Sequence, residues 1–322
     1  MTGKDFETFK ETVDRKLMHH PVVVDNAYTA WFAEGHVPLD HLRHFTVQFS
    51  VFSNQFLLAA LNRAINAGTL EAARESKEIL MNELGVIYVD PERARPDVRP
   101  GNADRIHVDR ERRCPDARTV DADREGDPAL VSTTGTVEGG TFRFQAAHFE
   151  WLLRFGATLG LRFGDMGKRR HGDPSTLFFC DELFRLYGSD DYNEAMGASF
   201  AVENWAAAGF WKELIAGLER VKAEQVPALP LAFFTWHDKL EANHRDHVWH
   251  ELRACYDSPS FEDEAFIAAG VTMLDAVKAF WDGLYAARPK APRVLKNTWV
   301  EEASFVAGEH RHAIRTATTT RA

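Results

Sequence analysis

The chemistry of this chain is most concentrated in one segment, FFTWHDKLEANHRDHVWHEL, residues 233–252. On a helix at about 100° per residue, His237, Glu241 and His244 fall within roughly 60° of arc, so two imidazoles and a carboxylate project from one narrow stripe. Phe233, Phe234, Leu240, Val248 and Leu252 make much of the same helix a buried one, and polar groups in a buried surface need partners. A metal ion is one such partner. A solvated polar face is the competing reading, because Arg245, Asp246, His247 and His250 share the segment. Imidazole mixed with carboxylate points to non-haem iron or manganese rather than structural zinc, which favours thiolate and imidazole. Two ions need further Glu or His side chains from other helices facing the same core. Glu83 ends an apolar helix as ILMNELG, His148 opens the amphipathic run AAHFEWLLRFGATLGL, and Glu203 lies in the small-residue stretch GASFAVENWAAAG. Each alone has an ordinary reading: a Glu at a helix end is solvated, and a lone His finds a local partner.

These residues need a scaffold, and the hydrophobic period along the chain is almost everywhere the 3.6 of amphipathic helices. An all-α bundle is predicted. Its first helix covers residues 5–20 and stops at a Pro21 turn. A long helix over 38–67 follows, with Leu42, Phe45, Phe49, Phe52, Phe56 and Ala60 on one face and Gly68 beyond its end. Further helices are expected over 71–84 with Gly85 as cap, 145–159, 175–187, 191–208 with Ser189 as N-cap, 210–224, 231–256 and 261–287. Residues from about 89 to 138 break the pattern: PERARPDVRPGNADR and DREGDP mix both charge signs with Pro and carry too few large apolar side chains for a core. This stretch reads as an insertion looping out of one helical domain spanning 1–322. Its last part, LVSTTGTVEGGTFRF, alternates Thr, Val and Phe around Gly139 and Gly140. That predicts a β-hairpin carrying the inserted segment to about residue 144, with an irregular surface loop as the alternative. The tail from about 304 to 322 is polar.

Composition narrows the function. The chain has 322 residues, 45% of apolar type, with 23 Phe and 8 Trp, which is ample for a large core. A net charge of −10, with no basic run interleaved with aromatics, argues against nucleic acid as a partner. No stretch approaches the ~18 uninterrupted apolar residues of a membrane span, and the N-terminus has no apolar core of a signal peptide. Cys114, Cys180 and Cys255 are scattered and odd in number, which speaks against a disulfide framework or a cysteine zinc site. The expectation is a cytoplasmic protein with no membrane partner.

Four pieces in order then resemble a known family, the haem-oxygenase-like di-iron oxidases and oxygenases, which bind no haem. They are the helix end Asn82-Glu83-x-Gly85, the H-x-E-x-L-L-x-F helix from His148 that ends in Leu-Gly-Leu at Leu161, the Gly-Ala-x4-Glu helix from Gly197 to Glu203, and H-x3-E-x2-H at His237, Glu241 and His244. The likeness covers roughly residues 30–285 and is interrupted by the insertion. Two departures stand out. The family more often has Asp where this chain has Glu241, and it commonly keeps its first Glu and first His close in sequence. The resemblance implies a haem-oxygenase-like helical bundle in which Glu83, His148, Glu203, His237, Glu241 and His244 hold two irons. It also implies dioxygen as co-substrate for a small molecule such as an amino acid, amine or fatty acid, in biosynthesis of natural products. An external electron donor and a homodimeric state are compatible with it. Phe142, Phe144, Trp205, Phe233 and Trp236 are candidates for excluding water, and equally for plain core packing.

For substrate binding, Arg143 between two Phe is the better candidate for an acidic group, because it is harder to leave in water than the KRRH turn at 168–171. Three rival readings remain. A metal-independent enzyme like the thiaminase and pyrroloquinoline-quinone-synthase relatives would, in the thiaminase case, need Cys180 or Cys255 beside a base. A ferritin-like di-iron protein would want two Glu-x-x-His motifs on buried helices. A non-enzymatic helical binding protein would carry the His cluster as a surface patch.

Overall fold

Apolar residues at helical spacing place the longest helix at the middle of the fold. The computed structural model describes residues 5–84, 86–88, 142–144 and 148–289. Within them the chain is predominantly helical: α1 (Phe6–Val13), α2 (Pro21–Val24), α3 (Ala27–Ala33), α4 (Leu39–Ile65), α5 (Leu70–Glu83), α6 (His148–Thr158), α7 (Pro174–Tyr187), α8 (Tyr192–Ala206), α9 (Phe210–Glu224), α10 (Ala232–Tyr256) and α11 (Asp263–Ala287). Contacts divide the chain into two units, 1–285 and 286–322, and only residues 286–289 of the second are described. Among the described residues no helix is long and apolar enough to cross a membrane.

In α4, Leu42, Phe45 and Phe49 are buried at helical spacing, and the helix packs against α5, α6 and α7. α8 is buried on every side from Ala195 to Ala206, as a helix central to a bundle must be. Small residues let its neighbours come close. A Cβ on Gly197 would lie 2.1 Å from the Phe266 carbonyl oxygen of α11, so glycine is required where the two backbones meet.

Several boundaries differ from the sequence reading for local reasons. α1 passes into a π-helical turn, Asp14–Met18, and Pro21 does not close that helix but opens α2 at its first turn, where a missing N–H costs nothing. α3 is too short for periodicity to betray it, and Asn26 caps it by accepting from the N–H groups of Tyr28 and Thr29. The cap of α8 is Asp191, which accepts from Asn193 N–H, whereas Ser189 accepts from Asp191 N–H at 3.1 Å and donates to Glu194 at 2.7 Å. The long helix ends at Ile65, before Gly68.

Two strands stand at the ends of the inserted segment: β1 (Val86–Tyr88) and β2 (Phe142–Phe144) pair antiparallel, with Val86 opposite Phe144, Ile87 opposite Arg143 and Tyr88 opposite Phe142. The described partner of the Phe142–Phe144 strand is therefore β1, not the segment just before it. The rest of the expected hairpin, with the insertion over 89–141 and the tail over 304–322, lies outside the described residues. Closing so long a segment costs little more than closing a short one, since the entropy grows with the logarithm of length.

Candidate functional site

α10 begins with two buried rings, Phe233 and Phe234, and this anchor fixes the helical phase of the turns beyond it. One turn on, His237 is half-buried, with Nδ1 2.6 Å from the Phe233 carbonyl oxygen. A carbonyl only accepts, so Nδ1 carries the proton and a neutral ring keeps its lone pair on Nε2. The ring is gripped on its faces and edge: Trp211 stacks on it at 4.8 Å and 23°, Phe233 lies at 4.4 Å and Trp236 at 5.3 Å. An imidazole oriented by a backbone carbonyl through one nitrogen is the arrangement found where the other nitrogen binds metal.

Packing register places the other candidates relative to this stripe. Along α8 and α9, Tyr192 meets Cys255 (3.8 Å), Phe200 meets Trp249 (4.8 Å) and Trp211 meets His237, so residue numbers rise on one side as they fall on the other. Glu203 accordingly stands opposite the turn of α10 that carries His244. α6 also runs antiparallel to α10, with Phe155 on Phe234 (5.1 Å) and Trp151 on Trp236 (5.7 Å), and one turn further His148 is opposite Leu240 and Glu241. α4 runs parallel to α10, from Phe49 beside Phe233 (5.9 Å) to Arg63 on Glu251 (2.8 Å), which puts Phe56 level with residues 241–244. α5 returns along α4 from Ser76 beside Arg63 (3.3 Å), and Glu83, two turns on, is level with Phe56. At 1.5 Å per residue the six backbone positions fall within about 10 Å along the bundle.

Side chains are described for three of the six. Glu203 is buried at 6% exposure, Glu83 is half-buried, and His237 is as above. The side chains of His148, Glu241, His244 and Arg143 lie outside the described residues, and Arg143 is placed only by its backbone, opposite Ile87 in β2. Among the described residues no three His, Cys, Asp or Glu side chains group closely enough to hold a metal ion. Trp205 and Phe233 are core residues, while Trp236 is half-buried against Trp151.

A buried polar cluster beside Glu203 goes beyond the sequence reading. Arg63 Nη2 donates to both oxygens of Glu251 at 2.9 and 2.8 Å, its Nε donates to Ser76 Oγ, and the Tyr192 hydroxyl donates to the same carboxylate at 3.1 Å. Burial is the largest single influence on Arg63 and works against its charge, but Glu251, together with Tyr187, Tyr192 and Glu203, outweighs it and holds the guanidinium above its usual value. Burial first, and then the charge of Glu203, pushes the Tyr187 phenol up. Both members of the ion pair carry a sequence signal. Glu251 is two turns after His244 on the same stripe, and Arg63 follows Phe56 and Ala60 on the buried face of α4.

Elsewhere the alternatives lose ground. Burial pushes the Cys180 thiol up to about 12, the opposite of what a nucleophilic cysteine needs, and Cys255 lies against the Tyr192 hydroxyl. The KRRH turn is surface structure: Arg169 pairs with Asp181, His171 Nε2 is 3.0 Å from the Gly164 carbonyl oxygen, and Lys168 sits over the Phe163 ring. A cavity of about 760 Å³ between α1 and α11 has none of the candidate residues in its lining. No family model matches this chain, and no curated protein is significantly similar to it.

Proposed function

We propose that this protein is a non-haem di-metal oxidase or oxygenase of the haem-oxygenase-like type, using dioxygen on a small organic substrate. What supports this reading is that helical register puts the backbone positions of Glu83, His148, Glu203, Glu241 and His244 at about the same level of the bundle as His237, whose ring is held through Nδ1 by the Phe233 carbonyl and stacked on Trp211. Three carboxylates and three imidazoles suit two divalent ions of the iron or manganese kind, leaving a small positive charge to be balanced by bound ligands. When bound, such a pair supplies electrons to dioxygen. The chain's own part is to hold the donors and keep water out. Trp211 and the Phe233 carbonyl fix the His237 ring, while the packed rings of Phe49, Phe233 and Phe234 seal the side of the site facing α4. Carboxylates on α5, α8 and α10 come from separate rigid helices, which holds donor spacing more tightly than loops would.

The test is anaerobic loading with ferrous iron, then exposure to oxygen in a stopped-flow absorbance cell. The reading requires a rapid absorbance change and oxygen uptake in proportion to bound iron. Iron that binds but consumes no oxygen, with or without a panel of amino acids, amines and fatty acids, would defeat it.

A further inference from the structure

We propose that Arg63 is a positioning residue for the metal site, its guanidinium setting the spacing of the helices that carry Glu83, Glu203 and the His237 stripe. This rests on the di-metal reading above. The side chain bonds to two of those helices, α5 through Ser76 Oγ at 3.3 Å and α10 through both Glu251 oxygens, and is linked to the third, α8, through Glu251, whose carboxylate also accepts from the Tyr192 hydroxyl. Arg63 and Glu251 are about nine-tenths buried, their side chains 10% and 9% exposed. Lysine could not replace this geometry, because only the planar fork spans Ser76 and Glu251 at once.

Stability is a poor reason for such a pair. Replacing a buried ion pair by apolar residues of similar volume is often neutral or stabilising, since desolvating two charges offsets their attraction. The cluster is not even saturated: among the described residues, Arg63 Nη1 is buried without a hydrogen-bond partner. Glu251 belongs to the same helical stripe as His244, two turns on, so a shift of Glu251 along or around α10 carries His237, Glu241 and His244 with it.

The experiment separates position from stability. Cobaltous ion serves as probe, titrated under nitrogen into wild type, Arg63→Lys, and the double variant Arg63→Met with Glu251→Met, with the visible ligand-field bands and the urea midpoint read independently. The double variant should keep its urea midpoint at or above wild type while its cobalt affinity falls about 10- to 100-fold and its bands shift, as loss of groups that orient metal ligands does. Arg63→Lys, which keeps the charge and loses the fork, should fall between. A folded double variant with wild-type affinity and bands overturns the positioning role and leaves the di-metal reading standing. Should the double variant fail to fold, wild-type affinity and bands in Arg63→Lys overturn it instead. A wild-type protein that takes up no cobalt overturns the di-metal reading itself, and this proposal with it.

Discussion

Gly197→Ala sets two effects of opposite sign against each other. In a helix interior, replacing glycine by alanine ordinarily stabilises by about 0.5–1 kcal/mol, because the unfolded chain loses freedom. Here the new methyl would sit 2.1 Å from the Phe266 carbonyl oxygen and 2.8 Å from its carbon. Ordinary contact needs about 1 Å more, so α8 and α11 must part by that amount, and overpacking of this kind costs about 1–3 kcal/mol. The second effect wins by roughly 1–2 kcal/mol. In a domain of this size that lowers the melting temperature by about 2–8 °C. Glu203 rides on the same helix less than two turns away, and metal–ligand distances tolerate only about 0.2 Å, so metal affinity should fall further than stability does. Urea unfolding of the metal-free variant, paired with a cobalt titration, reads both. An unchanged or raised urea midpoint would mean that propensity prevails and that α8 and α11 do not meet as described.

His237→Ala should abolish metal-dependent oxygen uptake with the helical circular dichroism intact, whereas His250→Ala, at an exposed position, should cost less than about 0.5 kcal/mol and leave oxygen uptake unchanged. Cys180, its thiol held near 12 against a usual 9.0, should resist iodoacetamide at neutral pH in the folded protein and react once urea unfolds it. Because the folded state keeps this proton while the unfolded state loses it, Cys180 contributes a loss of stability as pH rises from about 9 towards 12, and Cys180→Ala should flatten that part of the urea-midpoint profile. The pairing of β1 with β2 places Tyr88 directly opposite Phe142, so Tyr88→Cys with Phe142→Cys should form a disulfide under mild oxidation, visible as a non-reducing gel shift after proteolysis within 89–141.

The helices are legible where the period runs long, and illegible where it does not. Residues 39–65 and 210–224 announce themselves by buried rings and aliphatics at i, i+3 and i+4, whereas α3 is held by a cap and by tertiary packing rather than by any pattern seven residues can display. Pro21 misleads because proline opens a helix as readily as it ends one, and Ser189 because a cap is decided by which oxygen faces which N–H, where sequence offers polar candidates two residues apart. The strand at Phe142–Phe144 can be seen, but its partner lies across an inserted segment, and no local turn signal encodes that pairing. For the site, residue types on α10 point to ligation, and the register of Arg63 with Phe56 and Ala60 puts it on the buried face of α4, but register does not name its partner. Only packing shows that it meets Glu251.

The central claim is tested most directly by counting metal. Protein prepared without oxygen, loaded with ferrous iron, freed of excess by gel filtration and assayed for iron and protein together should hold about two irons per chain, the number six nitrogen and oxygen donors can share as two open-sided sites. Glu203→Gln should lower the count to one or fewer while the fold persists, since a buried carboxylate is replaced by a neutral group of the same shape. A wild-type count well below one, with all six residues intact, would contradict the account.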